Sequence, residues 1–257
     1  MFQQTGFSKT RLRRQHTLYD ERAQLSKADL SSSYHLLRPA TTENQAMSNS
    51  ENYLIIHGCG GHARSVADVA LATGITNLIF IDEQAKTSET IFGYKVVNTF
   101  YPDDFTQAKH IVAIGNAIKR AAIFTELVHL GYTLDNIIAP NAAFGFEARL
   151  GQGIFIAHGA HLGPLVSIGD NSIVNTHAVV EHESSIGQNC HIAVNATIAG
   201  RCVIGDNVFI GAGATVIDGI CICNGAIVGA GAVIVRDITR QGTYVGIPAT
   251  RTDSISL

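Results

Sequence analysis

The stretch Ile186-Gly-Gln-Asn-Cys-His-Ile192-Ala-Val-Asn-Ala-Thr-Ile198-Ala-Gly-Arg-Cys-Val-Ile204-Gly-Asp-Asn-Val-Phe-Ile210 carries a branched aliphatic residue at every sixth position. The period runs on in both directions without an insertion: Ile138, Phe144, Leu150, Ile156, Leu162, Ile168, Val174 and Val180 precede it, and Val216, Ile222, Val228 and Ile234 follow. In a chain that is 46% apolar, seventeen successive apolar residues in one frame arise by chance about twice in a million. Four residues after most key positions stands a small side chain, as at Ala142, Ala160, Ser172, Ala178, Ser184, Cys190, Ala196, Cys202, Ala214, Ala226 and Ala232. One large and one small inward residue per sextet would fill a narrow prism. The Gly, Asp and Asn between them, as in Ile168-Gly169-Asp170-Asn171, suit corners with unusual backbone angles. Short parallel strands, three to a coil, are therefore expected over residues 138–239. The seventeen sextets make between five and six coils, roughly 27 Å of prism at about 4.8 Å per coil.

Composition agrees. The 257 residues include 25 Gly and no Trp, and only 7% are aromatic, so the apolar mass is small and branched, a β-rich signature. A net charge of −3 gives no electrostatic footprint for nucleic acid or for an anionic membrane surface. No apolar run approaches the roughly 18 residues needed to cross a bilayer. Five scattered cysteines fit a reducing, cytoplasmic setting better than a disulfide framework. The charge is unevenly divided. Residues 1–46 hold 7 Lys and Arg against 4 Asp and Glu, and residues 47–257 hold 11 against 17, so +3 precedes −6. The opening segment has little apolar periodicity and is expected to be a disordered extension. Met47 looks like an ordinary start one step before a strand, and Asp20, Glu21, Asp29 and Glu43 argue against a transit peptide. Deletion of residues 1–46 is expected to leave activity intact.

Between the two lies a second pattern, over residues 51–137. Tyr53–His57 reads as a strand, Gly58-Cys59-Gly60-Gly61-His62 as a glycine-rich turn, and Ala63–Thr73 as a helix burying Val66, Val69 and Ala70. A second strand ends at Asp82-Glu83, where a Rossmann unit puts its ribose-binding acid. His110–Asn116 is a further strand and glycine turn, leading into a helix through Lys119, Arg120 and Leu127. A glycine turn at a helix N-terminus offers backbone N–H groups and a positive dipole end to a pyrophosphate. Tight strand–helix packing would need the same glycines. The segment is only half of a dinucleotide fold, which argues against a dehydrogenase.

Together these halves resemble the bacterial hexapeptide-repeat sugar acyltransferases, namely the UDP-4-amino-sugar (bacillosamine-pathway) N-acetyltransferases and the sialic-acid O-acetyltransferases. The likeness runs from Tyr53 to about Arg251. It implies a small Rossmann-like α/β domain followed by a left-handed parallel β-helix, a known exception to right-handed crossover. The remaining residues, 240–257, would form a cap and tail. It further implies acetyl-CoA as co-substrate, a nucleotide-linked sugar as acceptor, no metal and a cytoplasmic homotrimer with the coenzyme between neighbouring subunits.

The resemblance also assigns residues. In Asn175-Thr-His177-Ala-Val-Val-Glu181-His182-Glu183, four ionisable groups and an Asn interrupt the bland sextets at the family's Glu-His-Glu. An imidazole titrates near operating pH, so His182 suits a general base with a carboxylate orienting it. Glu183 is the expected partner, although the sequence does not decide between it and Glu181. Asn175 matches a contact in the sugar pocket and His191 a histidine of the coenzyme region. Gly200 matches a glycine whose N–H can face a thioester oxyanion. Gly58, Gly60, Gly61, His62 and Asp82 would hold the nucleotide, although His62 in a bland reading merely begins a helix. Gly246 and Pro248 resemble the segment beside the coenzyme adenine. Ala230 departs from the pattern, since relatives carry Gly near the pantetheine arm. His158, His161 and His177 read as solvated surface residues.

Three other readings stay open on the sequence. N-acylation of a UDP- or GDP-linked amino sugar is favoured over O-acylation of sialic acid by the histidine turn and the Glu-His-Glu. A γ-type carbonic anhydrase would use His177 and His182 as zinc ligands, but its third histidine falls near Asn141. A non-catalytic sugar-nucleotide sensor would share the scaffold without turnover.

Overall fold

A computed structural model describes residues 53–98 and 108–252. The opening segment, its boundary at Met47 and the last five residues lie outside the described residues. The N-terminal part is an α/β layer: β1 (Leu54–His57), α1 (Gly61–Ala72), β2 (Leu78–Ile81), β3 (Thr90–Ile91), β4 (Tyr94–Val97), β5 (Lys109–Val112), α2 (Ala117–His129) and β6 (Thr133–Leu134). The sheet order is β3-β4-β2-β1-β5-β6, parallel except for the β3–β4 hairpin. β1 and β2 are central and nearly all buried, which explains their continuous apolar runs. The short hairpin β3–β4 and the edge strand β6 were not apparent in the sequence. They carry too few alternating residues to show a period.

From Ile137 the chain makes seventeen two-residue strands, β7 (Ile137–Ile138) to β23 (Val233–Ile234), and each ends on a residue of the sixfold series. Strands 18 residues apart pair in parallel, as Phe155↔Ile173 and His191↔Phe209 do. They stack into three sheets, giving a parallel β-helix consistent with left-handed winding. The coil count is between five and six, as the sextets require. The inward large residues and the small ones, from Ala160 to Ala232, are buried in one continuous core. At the far end β24 (Thr243–Gly246) extends the first sheet in parallel, and β25 (Ala249–Thr252) folds back on it antiparallel.

Corners follow the glycine and Asn logic, and the coils are close enough to enforce it. A Cβ on Gly169 would lie 2.6 Å from the carbonyl carbon of Gly187 in the next coil. Asn171, Asn189 and Asn207 occupy one left-handed corner column, with φ of 56°, 57° and 57°. The column of Glu147, Leu165, Glu183 and Arg201 adopts the same φ with residues that have no special preference for it. Each such residue carries a conformational cost of about 1 kcal/mol, of the kind retained where a side chain must be aimed.

The two parts share one core. Ile137, Ala139, Phe155, Ala157 and Ile173, on the outer side of the first sheet, are buried among Leu54, Ile56, Val66, Val69 and Ala70. Thus α1, which carries the glycine turn at its start, lies directly on the β-helix.

Candidate active site

The glycine turn is fixed from beneath. Gly58 has φ +122°, and a Cβ there would sit 2.9 Å from the Ala113 carbonyl oxygen, so only Gly fits between the first and fifth strands. Asp82 uses both carboxylate oxygens on backbone: Oδ2 accepts from Cys59 N–H at 3.0 Å and Oδ1 from Gln84 N–H at 3.0 Å. It therefore shapes the turn. Gly60 caps α1 without a side chain, and ideal Cβ positions on Gly60 and Gly61 meet nothing within 4 Å. The helix N-terminus is open to a ligand. Arg64, not among the residues that the sequence singles out, folds back to donate to the carbonyls of Cys59 at 2.6 Å and Gly60 at 3.0 Å. Its place one turn into a helix capped by Gly60 and opened by Gly61 was the available signal.

His62 points from α1 to the β-helix. Its ring meets Phe155 edge-on at 5.1 Å and lies 6.2 Å from the His191 ring. Burial, then the charges of His191 and Arg120, holds its pKa down at about 3. His191, the outward residue of β16 (His191–Ile192), is likewise depressed to about 4 by burial and Arg120, so both rings are neutral at pH 7. The Asn175 amide nitrogen lies 3.3 Å from His191 Nε2. With the amide donating, Nε2 is the acceptor and the proton sits on Nδ1. His62 Nε2 and His191 Nδ1 are buried without a hydrogen-bond partner among the described residues, and groups so placed are ordinarily met by water or ligand.

A second group stands one face of the prism away. His182 Nδ1 is 3.1 Å from Glu183 Oε2, whereas the Glu181 carboxylate forms no hydrogen bond or ion pair among the described residues. Of the two flanking carboxylates, it is Glu183 that lies within hydrogen-bonding distance of the ring. A Cβ on Gly200 would lie 2.5 Å from Nε2 and Cε1 of His182, so the imidazole rests directly on bare backbone in the next coil. The Gly200 N–H has no acceptor among the described residues, its carbonyl accepting from Gly219 N–H. The side chains of His182 and Glu183 remain 42% and 52% exposed. No described contact joins His182 to the His62–His191 pair within the chain.

The other expected positions are scattered. Ala230 is exposed at a corner, and Gly246 and Pro248 are exposed in the turn between β24 and β25. His158 is more than a solvated residue. Its Nδ1 is 2.8 Å from Asn141 Oδ1 and its Nε2 is 3.4 Å from Asp68 of α1, a polar tie across the domain junction. His177 is exposed, its ring over Gly159. Among the described residues no three His, Cys, Asp or Glu side chains converge as a metal site, and no helix is long and apolar enough to cross a membrane.

With this geometry in place, the comparisons are specific. Residues 53–127 match the PglD N-terminal domain, and residues 183–218 and 201–236 match the bacterial transferase hexapeptide repeats. The acetyltransferase domain of PglB from Neisseria gonorrhoeae is 32% identical, with 78% of this chain and 100% of that domain covered and a TM-score of 0.73; its structure is also known with acetyl coenzyme A. A mutant perosamine N-acetyltransferase from Caulobacter crescentus, bound to CoA and GDP-perosamine, is 31% identical over 78% of this chain and 97% of its own, with a TM-score of 0.74. WeeI from Acinetobacter baumannii is 25% identical over 78% and 99%, with a TM-score of 0.72. The chain belongs to the bacterial sugar acyltransferases that couple a PglD-type N-terminal domain to hexapeptide repeats. It is an acyltransferase.

Proposed function

We propose that this enzyme transfers the acetyl group of acetyl-CoA to the free amine of a UDP- or GDP-linked amino sugar in cytoplasmic glycan precursor synthesis. The observation that carries the reading is the His182 imidazole, held at Nδ1 by Glu183 and seated on Gly200. A proton on Nδ1, donated to the carboxylate, leaves the Nε2 lone pair for the acceptor amine. The amine nitrogen attacks the thioester carbonyl, a C–N bond forms and the amine proton passes to Nε2. The C–S bond then breaks and the departing thiolate takes that proton. The unpartnered Gly200 N–H is placed to donate to the developing oxyanion. No acyl-enzyme is formed, and no cysteine is required.

The α1 N-terminus at Gly60–His62 receives the pyrophosphate, and neutral His62 and His191 hydrogen-bond the acceptor, relieving their unpartnered nitrogens. The relatives' complexes with acetyl-CoA and with GDP-perosamine support this pairing of ligands. The separation of His182 from His62 and His191 within one chain supports a homotrimer in which neighbouring subunits complete each site. Coenzyme A release measured over a panel of UDP- and GDP-linked amino sugars and sialic acid tests the proposal. Saturable release with a nucleotide-linked amino sugar is expected. Release with sialic acid alone would move the assignment to O-acetylation, and none with any acceptor would overturn it.

A further inference from the structure

Arg120, on the first turn of α2, is fully buried and spends all five N–H donors on carbonyl oxygens from three places in the chain. Nη1 donates to Ile114 and Gly115 at 3.0 Å each, in the turn that follows β5. Nε donates to Asn171 at 2.9 Å, a corner of one coil. Nη2 donates to Asn189 at 2.6 Å and Cys190 at 3.3 Å, the same corner one coil on. No carboxylate faces it among its described partners. A buried cation without a counter-ion is an expensive way to join two packed surfaces, and apolar side chains would hold the same junction at less cost. What the guanidinium adds is geometry, because its planar fork fixes the direction of every bond.

The bonded carbonyls are not arbitrary. Cys190 immediately precedes His191. Ile114 and Gly115 follow Ala113, whose carbonyl closes on Gly58 of the nucleotide turn. One rigid group therefore ties the floor of the glycine turn to the coils that bear Asn175, His182 and His191.

We propose that Arg120 is a positioning residue that sets the distance and angle between the nucleotide-anchoring turn and the acyl-transfer coils. The inference rests on the acetyltransferase reading of the site. Burial is what chiefly holds His62 and His191 neutral, and the Arg120 charge adds to it by opposing their protonation.

The test compares Arg120→Lys, Arg120→Gln and the unaltered enzyme, using the amino sugar that the acceptor panel identifies. Kd values for the nucleoside diphosphate alone and for coenzyme A alone are measured alongside kcat. If Arg120 positions, both folded variants bind each ligand within about threefold of the unaltered enzyme while kcat falls by at least about 30-fold, and lysine gives little rescue because a point charge cannot bridge five carbonyls. Histidine NMR titration supplies a readout independent of turnover: His62 and His191 titrate at higher pH in the Gln variant than in the Lys variant, which retains the charge. Unchanged kcat in either folded variant overturns the inference. So do failure of both variants to fold and a loss of kcat matched only by the loss of folded protein, since these mark Arg120 as a fold determinant alone. An unaltered enzyme that releases coenzyme A with none of the acceptors refutes the acetyltransferase reading instead, an outcome distinct from a loss of turnover confined to the variants.

Discussion

His182 and Gly200 behave as one unit, since the ring occupies space that any larger residue at position 200 would need. His182→Ala is expected to lower kcat by about 10²–10⁴ with the fold intact, read by steady-state coenzyme A release and circular dichroism. Glu183→Gln keeps the shape but loses the carboxylate, so kcat falls while Glu181→Gln stays within about threefold. The reverse order would return the orienting role to Glu181. Gly200→Ala places a methyl 2.5 Å from the imidazole and must displace it, so kcat falls at least about tenfold with little change in unfolding midpoint. An alanine enzyme of normal turnover would mean that the seat of the ring on the neighbouring coil is irrelevant to chemistry. The cluster itself was legible because ionisable groups interrupt apolar sextets. Which carboxylate lies against the ring was not, because Glu181 and Glu183 flank His182 symmetrically in sequence; in the structure it is Glu183, at a left-handed φ of 59°.

At the scale of the coil, the sixfold period specified the core with its large and small inward residues, because a prism this narrow admits little else. Ala196, with no solvent exposure, is expected to reject Leu. Ala196→Leu should cost about 1–3 kcal/mol or more through overpacking, measured by urea unfolding; a neutral result would show that the prism can widen. The docking face was a harder signal, although it was present. The residue before each key position points outward, and at every third sextet it is Ile137, Phe155, Ile173, His191, Phe209 and Ile227, whereas the other two faces mix Ala, Thr, Ser, Arg, His and Cys with Val. A period of 18 in outward residues marks the side on which the N-terminal domain covers Ile137, Phe155 and Ile173, and a frame of six averages it away. Arg120 was illegible for another reason: arginine on a helix reads as solvated, and nothing local shows that two β-helix corners turn their carbonyls toward it.

For the whole molecule, three histidines held neutral by their surroundings, His57 buried and His62 and His191 half-buried, make stability depend on pH. His57, 3.0 Å from His110, is depressed to about 3 by burial and by His110, and His62 and His191 to about 3 and about 4. The unfolded chain binds these protons below about 6.5 and the folded chain does not until far lower, so stability falls as pH drops from 6.5 toward 3. The slope is at most about 1.4 kcal/mol per pH unit for each group. Urea midpoints are expected to drop between pH 7.5 and 5.5, and a flat profile would contradict neutral burial.

The shared face between α1 and the first sheet has an engineering consequence. The solenoid keeps two clocks, one of six residues that the core reads and one of 18 that the junction reads. A sextet inserted after Ile186 satisfies the first clock and advances everything downstream by a third of a revolution, carrying His191 away from His62. An insertion of a whole coil instead returns every downstream residue to its own face, but about 4.8 Å further along the axis. The six-residue insertion should therefore yield a folded, inactive protein, and length variation that preserves function in such chains should come in steps of 18 placed beyond the coil that carries Gly200.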